Sequence, residues 1–584
     1  PVDLIVNVDN RETVSLNGDW KYTVDPYEVG YWDYRYQPSD AGFFRDAPHD
    51  DASALIEYNF DTSPALKVPG DWNTQRDELL LYEGTVWYRR KFGFTPGQDE
   101  RVFLHFGAAN YEARVYLNGE QLGRHVGGFT PFQFEVTGKL RDGENSLVVK
   151  VDNTRRHDAI PTVNTDWWNY GGLTRRVMLV RTPRTFVRDY MIQLDPQDPG
   201  TIRGWVRVDG PDAAGEVRIE IPEAGLSHTV TTDGSGFAEV RMAAAGLELW
   251  RPGAPKLYDV SLTVGGHELV DQIGFRTVAT RGTEILLNGE PLFLRGISIH
   301  EEAPLRGGRA YSVEDARTLL GWAEDLGCNF VRLAHYPHHE GMVREADRRG
   351  LLVWSEVPVY WTIDWENPET YANARRQLSE MIARDRNRAA VILWSVANET
   401  PVTDRRLEFL RGLIDTARGL DPTRLVTAAL EKSYRDRTTV VIEDPLAGHL
   451  DVLGCNEYIG WYDGLPPKAS TVRWVSDYDK PLIMSELGGG ALAGRHGDET
   501  ERWTEEFQAA LYRHQTEMLS QIPFLAGTTP WILMDFRSPR RLLPEIQDFW
   551  NRKGLLSERG ERKQAFDVLR AFYEQIRDRE EAAR

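Results

Sequence analysis

Two glutamates stand at the ends of short apolar runs in the C-terminal half of the chain. Glu399 closes segment 391–399, Val-Ile-Leu-Trp-Ser-Val-Ala-Asn-Glu, and Glu486 lies in segment 481–488, Pro-Leu-Ile-Met-Ser-Glu-Leu-Gly. Runs that are apolar on both faces read as strands buried on both sides, the pattern of a parallel sheet covered by helices. In a barrel of such strands, chemistry gathers at their C-terminal ends. Two carboxylates delivered there can serve as acid and nucleophile in the cleavage of a glycosidic bond. A single Glu after a strand is more often a solvated loop residue or a helix cap. Here the pairing of Trp-Ser-x-x-Asn-Glu with Ser-Glu-x-Gly, in one stretch of alternating strands and helices, points to chemistry.

The elements that must position this pair follow from the periodicity. From about residue 280 to 584, strand-like runs at 292–300, 329–335, 351–357, 391–398, 425–430, 452–458, 482–486 and 526–535 alternate with helical ones. One helix is marked by Ser312 and Asp315 as a capping box, an apolar face of Ala316, Leu319, Leu320 and Ala323, and Gly327 as its stop. Eight such units predict a closed (β/α)₈ barrel, with Glu399 ending strand four and Glu486 ending strand seven. Residues 1–184 read instead as all-β. Strand runs such as 102–106, 112–117 and 146–151, with turn dipeptides at Asn118-Gly119 and Asp142-Gly143, predict a β-sandwich. Residues 185–279 alternate on a smaller scale, notably over 201–208 and 216–221, and predict one immunoglobulin-like sandwich. The expected fold is thus multidomain, β and α/β.

Bulk properties narrow the partners. At 584 residues the chain exceeds a single core, and its composition, 41% hydrophobic and 27% charged, is that of a globular protein. No apolar stretch is long enough to span a bilayer, so membrane insertion is not expected. A formal charge of −20 argues against nucleic acid or an anionic membrane surface. It leaves room for an acidic sugar, since a basic pocket dominates within a Debye length of about 8 Å. Cys328 and Cys455 are the only cysteines, and each falls in an apolar run, so buried thiols are expected and neither a disulfide framework nor a cysteine metal cluster. With no phosphate loop and no metal-ligand cluster, neither a cofactor nor a metal is expected. The chain opens at Pro1, which leaves the compartment open between cytoplasm and a periplasmic or secreted location after loss of a leader. Homo-oligomerisation is likewise open.

Two longer segments carry a resemblance. Segment 385–399, Asp-Arg-Asn-Arg-Ala-Ala-Val-Ile-Leu-Trp-Ser-Val-Ala-Asn-Glu, resembles the acid/base signature of glycoside hydrolase family 2, and 329–337, Asn-Phe-Val-Arg-Leu-Ala-His-Tyr-Pro, resembles its other signature, with Leu333 where a small residue is usual. The resemblance covers the whole chain, since the family's order is sugar-binding jelly roll, immunoglobulin-like sandwich and catalytic barrel. It implies a retaining, exo-acting hydrolase in which Glu486 is the nucleophile and Glu399 the acid/base. Arg332 and Tyr458 would be donors to the nucleophile, Asn398 would bond the sugar's 2-hydroxyl, and His300, His335 and Trp531 would wall the pocket.

Within that family, Asn551-Arg552-Lys553 resembles the Asn-x-Lys motif by which β-glucuronidases hold a sugar carboxylate, and 166–172, Asp-Trp-Trp-Asn-Tyr-Gly-Gly, resembles the segment that sends an Asp, here Asp166, into their site. An amide and an ammonium two residues apart on an extended loop point the same way and can grip one anionic group. The carbohydrate substrate implied is a glucuronide or a uronic-acid-terminated oligosaccharide, with release of terminal β-linked glucuronic acid. The alternatives are a β-galacturonidase or β-galactosidase of the same family and, outside it, a non-catalytic carbohydrate-binding protein. Two departures bear on the leaving-group side. Gln547 stands where microbial enzymes for small glucuronides often carry Arg, while Arg537, Arg540 and Arg541 cluster upstream, and the stretch 357–380 is too short for a long active-site loop. Both favour an open site and polysaccharide ends.

Overall fold

The computed structural model describes residues 3–37, 44, 46 and 60–583. Its C-terminal half is a closed barrel of parallel strands: β1 (Leu294–Ile299), β2 (Phe330–Leu333), β3 (Leu352–Glu356), β4 (Val391–Asn398), β5 (Leu425–Glu431), β6 (Leu453–Asn456), β7 (Leu482–Glu486) and β8 (Leu525–Thr528). Every residue of β3, β4 and β7 is buried, as runs without a polar face require. The barrel closes where β1 pairs with β8, Leu294 opposite Gly527. A Cβ at Gly527 would come within 2.6 Å of Leu294 Cβ, so the close approach of the two chains depends on a residue without a side chain.

The helices cover the strands as their sequences dictate. Over Val313–Asp325, Ser312 Oγ accepts from Asp315 N and Asp315 accepts in return from Ser312 N, which satisfies two otherwise orphaned donors. Ala316, Leu319, Leu320 and Ala323 face the core, and Gly327 follows at φ 90°. The run expected as a strand over 526–535 is shorter, because after Thr528 the chain turns across the barrel end. Thr529 N bonds Met484 O of β7, Trp531 N bonds Leu487 O, and Ser298 N of β1 bonds Pro530 O. Trp531 thereby becomes floor of the cavity rather than part of a strand.

Ahead of the barrel lie two sandwiches. The first has a six-stranded sheet, in spatial order Ala65–Val68, Gly18–Val24, Thr85–Phe94, Gly143–Asp152, Glu112–Leu117 and Glu120–Val126. Against it stands a four-stranded sheet of Glu12–Ser15, Val177–Pro183, Glu100–Phe106 and Phe132–Glu135. Asn118 and Gly119 sit at φ 52° and 84° in the hairpin joining Leu117 to Glu120, the left-handed pair a two-residue turn demands. The second sandwich packs the three strands Phe186–Asp195, Asp198–Asp209 and Phe237–Ala243 on four others between Glu216 and Ile273.

What matters for the site is how the first sandwich is clamped on the barrel's C-terminal end. Arg175 donates to Phe129 O, to Pro337 O at 2.7 Å and to the Glu301 carboxylate, Tyr170 OH donates to Glu302 at 2.7 Å, and Trp168 N bonds Arg537 O. The contacts of Trp168, Tyr170 and Arg175 follow directly on Asp166 in the chain. No helix among the described residues is long and apolar enough to cross a membrane.

Candidate active site

Glu486, the last residue of β7, is met by donors on both oxygens. Arg332 NH1, from β2, donates to Oε1 at 2.8 Å, and the Tyr458 hydroxyl, just past β6, donates to Oε2 at 2.6 Å. Donors of this kind stabilise negative charge on the acceptor. The same guanidinium is fully buried and held from behind: Arg332 NH2 donates to Glu356 Oε1 at 3.0 Å and to Asn398 Oδ1 at 2.7 Å. Burial would raise the Glu356 carboxyl, but the charge of Arg332 and the His335 and Trp354 contacts bring it down to about 2. Glu356, at the end of β3, therefore stands as a permanent counter-ion that fixes Arg332.

Glu399 has a different setting. It follows β4 in a left-handed conformation, φ 48°, with its N–H on Ala429 O. A non-glycine residue there costs on the order of 1–3 kcal/mol and persists only where surrounding structure imposes it. Its carboxyl receives two neutral donors, Asn456 Nδ2 at 2.9 Å and Trp361 Nε1 at 2.8 Å. Burial first, and then the charge of Glu486, push it up to about 7. Asn398 joins the two halves, since its Oδ1 accepts from both Arg332 and Asn456 while its Nδ2 is buried without a hydrogen-bond partner.

A third group of residues collects at the side where the first sandwich meets the barrel. Lys553 Nζ bonds the Tyr462 hydroxyl at 2.8 Å and lies over the rings of Tyr458 and Tyr462. It forms no ion pair among the described residues, and burial, then the charge of Arg541, hold its ammonium below the ordinary lysine value. Arg541 bonds the same Tyr462 oxygen through NH1 at 3.2 Å and grips Asp166 with Nε and NH2. Asn551 sits behind them: its Nδ2 donates to Asp166 at 3.2 Å and its Oδ1 accepts from Lys553 N at 3.1 Å, so its amide is engaged within the protein. Gln547 turns back on its own loop and accepts from Leu543 N.

These residues line one cavity of about 610 Å³, which holds Asp166, His335, Tyr360, Trp361, Glu399, Asn456, Tyr458, Glu486, Trp531, Arg541 and Lys553. Of the residues named from sequence, Arg332, Asn398 and Asn551 stand immediately behind its surface, each bonded to a residue that faces it. His335 stacks on Trp531 with ring centroids 4.7 Å apart and bonds Glu356 at 3.0 Å. His300 lies one layer deeper, against Phe536 and Trp531 and bonded to Tyr336, with burial holding it well below the usual histidine value. Sequence reasoning missed Trp361, Glu356, Asn456 and Tyr462. Two of these carried a usable signal, because Glu356 ends strand three and Asn456 ends strand six, the level at which Glu399 and Glu486 emerge. A larger hollow of about 880 Å³ opens at the opposite, N-terminal end of the barrel, but it contains neither glutamate and its Arg295 and Glu580 are already paired at 2.5 Å.

Comparison with known proteins gives two family matches, "Glycosyl hydrolases family 2, TIM barrel domain" over residues 278–577 and "Glycosyl hydrolases family 2, sugar binding domain" over 13–183. A β-glucuronidase from Paenibacillus borealis is 31% identical over 617 aligned residues, covering 96% of each chain. Among solved structures, the β-glucuronidase of Bifidobacterium dentium complexed with coumarin-3-O-glucuronide is 27% identical and superposes with a TM-score of 0.82, covering 97% of each chain. A β-galacturonidase from Eisenbergiella tayi shares the fold at a TM-score of 0.80 and 23% identity, over 97% of this chain and 96% of that one.

Proposed function

Because this chain belongs to glycosyl hydrolase family 2, we propose that it is a retaining, exo-acting enzyme that releases terminal β-linked glucuronic acid from glucuronides or uronic-acid-bearing oligosaccharides. The observation that carries the sugar assignment is Lys553. A buried ammonium lining a cavity with no carboxylate partner among the described residues is costly to the folded protein and is compensated when a substrate supplies the anion. The relatives named β-glucuronidases support the same reading.

The chemistry runs in two displacements. A Glu486 oxygen attacks the anomeric carbon and the glycosidic C–O bond breaks, while Glu399 gives its proton to the departing oxygen. Glu399, now a carboxylate, takes a proton from water, whose oxygen attacks the anomeric carbon and frees Glu486. Arg332, fixed by Glu356, and Tyr458 hold the nucleophile in line and receive it back. Asn398 Nδ2, buried just behind the cavity surface and without a hydrogen-bond partner among the described residues, is the candidate donor to the oxygen of the 2-hydroxyl, a contact that strengthens as the transition state forms. Raised to about 7, Glu399 is mostly protonated in mildly acidic solution and about half protonated at neutral pH, as the first step needs.

The test is the rate on an aryl β-glucuronide, β-galacturonide and β-galactoside measured side by side. Preference for the glucuronide supports the reading, preference for the galacturonide moves it to the C4 epimer, and preference for the neutral galactoside removes the role given to Lys553.

A further inference from the structure

Glu399 and Glu486 share their cavity with charged residues that neither displacement uses. Glu431, the last residue of β5, and Lys432, which follows it, both line it. Glu431 lies in register with Asn456, whose amide donates to Glu399, and its charge is among those that raise the Glu399 carboxyl. The departing oxygen must reach that carboxyl to receive its proton, and the group attached to it then lies among the residues around Glu399. On the β3 side the wall is Trp361, whose N–H is on Glu399 and whose ring already meets Tyr360, at 4.4 Å between centroids, and the Arg540 guanidinium, at 5.0 Å. The β5 side offers charge instead.

Lys432 Nζ bonds Asp463 Oδ2 at 2.8 Å, but that carboxylate is shared. The Tyr434 hydroxyl donates to the same oxygen at 2.6 Å, and Lys468 Nζ pairs with Oδ1, so one carboxylate serves two ammoniums. Glu457, which also lines the cavity, does not supply the missing charge. Burial pushes its carboxyl up to about 8 and leaves it mostly protonated in neutral solution, with Oε2 on Ile459 N at 2.6 Å and Oε1 unpartnered among the described residues. Glu431 is exposed, and its side chain makes no hydrogen bond or ion pair among the described residues. The wall thus combines a free carboxylate acceptor with an ammonium donor that has only part of a partner. Sugar hydroxyls, each both donor and acceptor, suit such a wall, whereas an aryl or alkyl group would strip water from its charges and return nothing.

We propose that Glu431 and Lys432 form a leaving-group subsite for a second sugar residue, and are specificity-determining residues that favour a saccharide over an aryl or alkyl alcohol as the departing group. The Glu431 carboxylate accepts from one hydroxyl of that sugar and the Lys432 ammonium donates to another, while Asp463, held by Lys468 and Tyr434, keeps Lys432 in place. The inference rests on the exo-hydrolase reading above and deepens it by naming the class of group on the far side of the scissile bond.

Two substrates with the same uronic acid isolate this subsite: a uronyl-hexose disaccharide and the methyl uronide. In both, the departing oxygen belongs to an alcohol and needs the Glu399 proton, and only the disaccharide brings hydroxyls to the β5 side. Wild-type kcat/KM should favour the disaccharide. Lys432→Met and Glu431→Gln should each lower the disaccharide-to-methyl ratio by about three- to tenfold, chiefly through KM, the range for one hydrogen bond, and Lys432→Arg should recover part of the loss. Asp463 keeps Lys468 and Tyr434 in Lys432→Met, so that variant does not leave a bare carboxylate in the loop. An equal loss on both substrates would overturn the proposal, because it would place the effect in the fold or in the protonation of Glu399. A wild-type enzyme that cleaves both alike would overturn it too. The first sugar is tested separately: faster cleavage of the matching neutral disaccharide than of the uronyl one would refute the uronide reading, and the subsite would then be judged by the same ratio on the neutral pair.

Discussion

Glu486 and Glu399 are the same residue type at the ends of strands of the same barrel, yet their surroundings differ in kind. Glu486 faces a guanidinium and a phenol, and behind the guanidinium stands a further carboxylate that fixes it. Glu399 meets an indole and an amide, no cation among the described residues, and the field of its partner, and it rises to about 7. The difference teaches that an acid and a nucleophile can be made from identical side chains by the placement of one arginine. Arg332 on β2 reaches across the barrel end to Glu486 through NH1, while NH2 stops at Asn398, the residue before Glu399, so its guanidinium meets one glutamate and not the other.

The most damaging way to break the comparison is to remove the nucleophile. Glu486→Gln keeps the shape but closes the covalent route, and turnover should fall by several orders of magnitude on every substrate, read as kcat in a steady-state assay. The same variant sharpens the electrostatic half of the argument. With the Glu486 charge gone, the Glu399 carboxyl should titrate below about 7, visible by carbon NMR of labelled glutamate. A Glu399 that titrates where it did before would show that burial alone sets its protonation.

Next in size is Glu399→Ala. General acid catalysis contributes about 10²–10⁴-fold, and the loss should approach this on glycosides with poor leaving groups while nitrophenyl glycosides keep more activity. Added azide should restore turnover and yield the β-azide, detected by mass spectrometry and proton NMR. An equal loss on both substrate types without rescue would contradict the acid/base role.

How much of this was legible from sequence depends on whether periodicity reaches the residue. The eight strands stood out because each is a run apolar on both faces, and Glu399, Glu486, Asn398 and Arg332 were placed by those runs. Trp361 and Tyr462 lie in irregular loops after strands three and six, where no period says which way a side chain points. Arg541 was visible only as one of three clustered arginines, since a bend of the chain brings it beside Asp166 from another domain. Asn551 is a ligand by the resemblance of 551–553 to the Asn-x-Lys motif, and only the fold shows its amide already engaged on Asp166. The shortening of β8 was hidden for a similar reason, because 526–535 is nearly all apolar and nothing local says that Pro530 and Trp531 cross the barrel end.

A smaller effect separates charge from shape on the substrate side. Lys553→Ala should reduce kcat/KM on a uronide by about tenfold to a hundredfold, while a neutral glycoside is affected far less. A uniform loss on both would mean that Lys553 supports the fold rather than the carboxylate.

The smallest expected effects are in the pH profile. Only the protonated Glu399 can act as acid, so kcat/KM should be full below about 7 and fall as pH rises through it. The Trp361 hydrogen bond favours the charged form, so Trp361→Phe should move that alkaline limb upward by a fraction of a pH unit, with a loss of rate of about two- to tenfold, the value of one neutral hydrogen bond. A limb that moves downward would reverse the sign assigned to Trp361.

The most direct measurement of the central claim is covalent labelling with a 2-deoxy-2-fluoro-glucuronyl fluoride, followed by peptide mass spectrometry. The account predicts rapid, stoichiometric inactivation with the fluorosugar attached to Glu486, and little labelling by the neutral 2-fluoroglucosyl fluoride. Attachment at Glu399, or equal labelling by the neutral reagent, would contradict it.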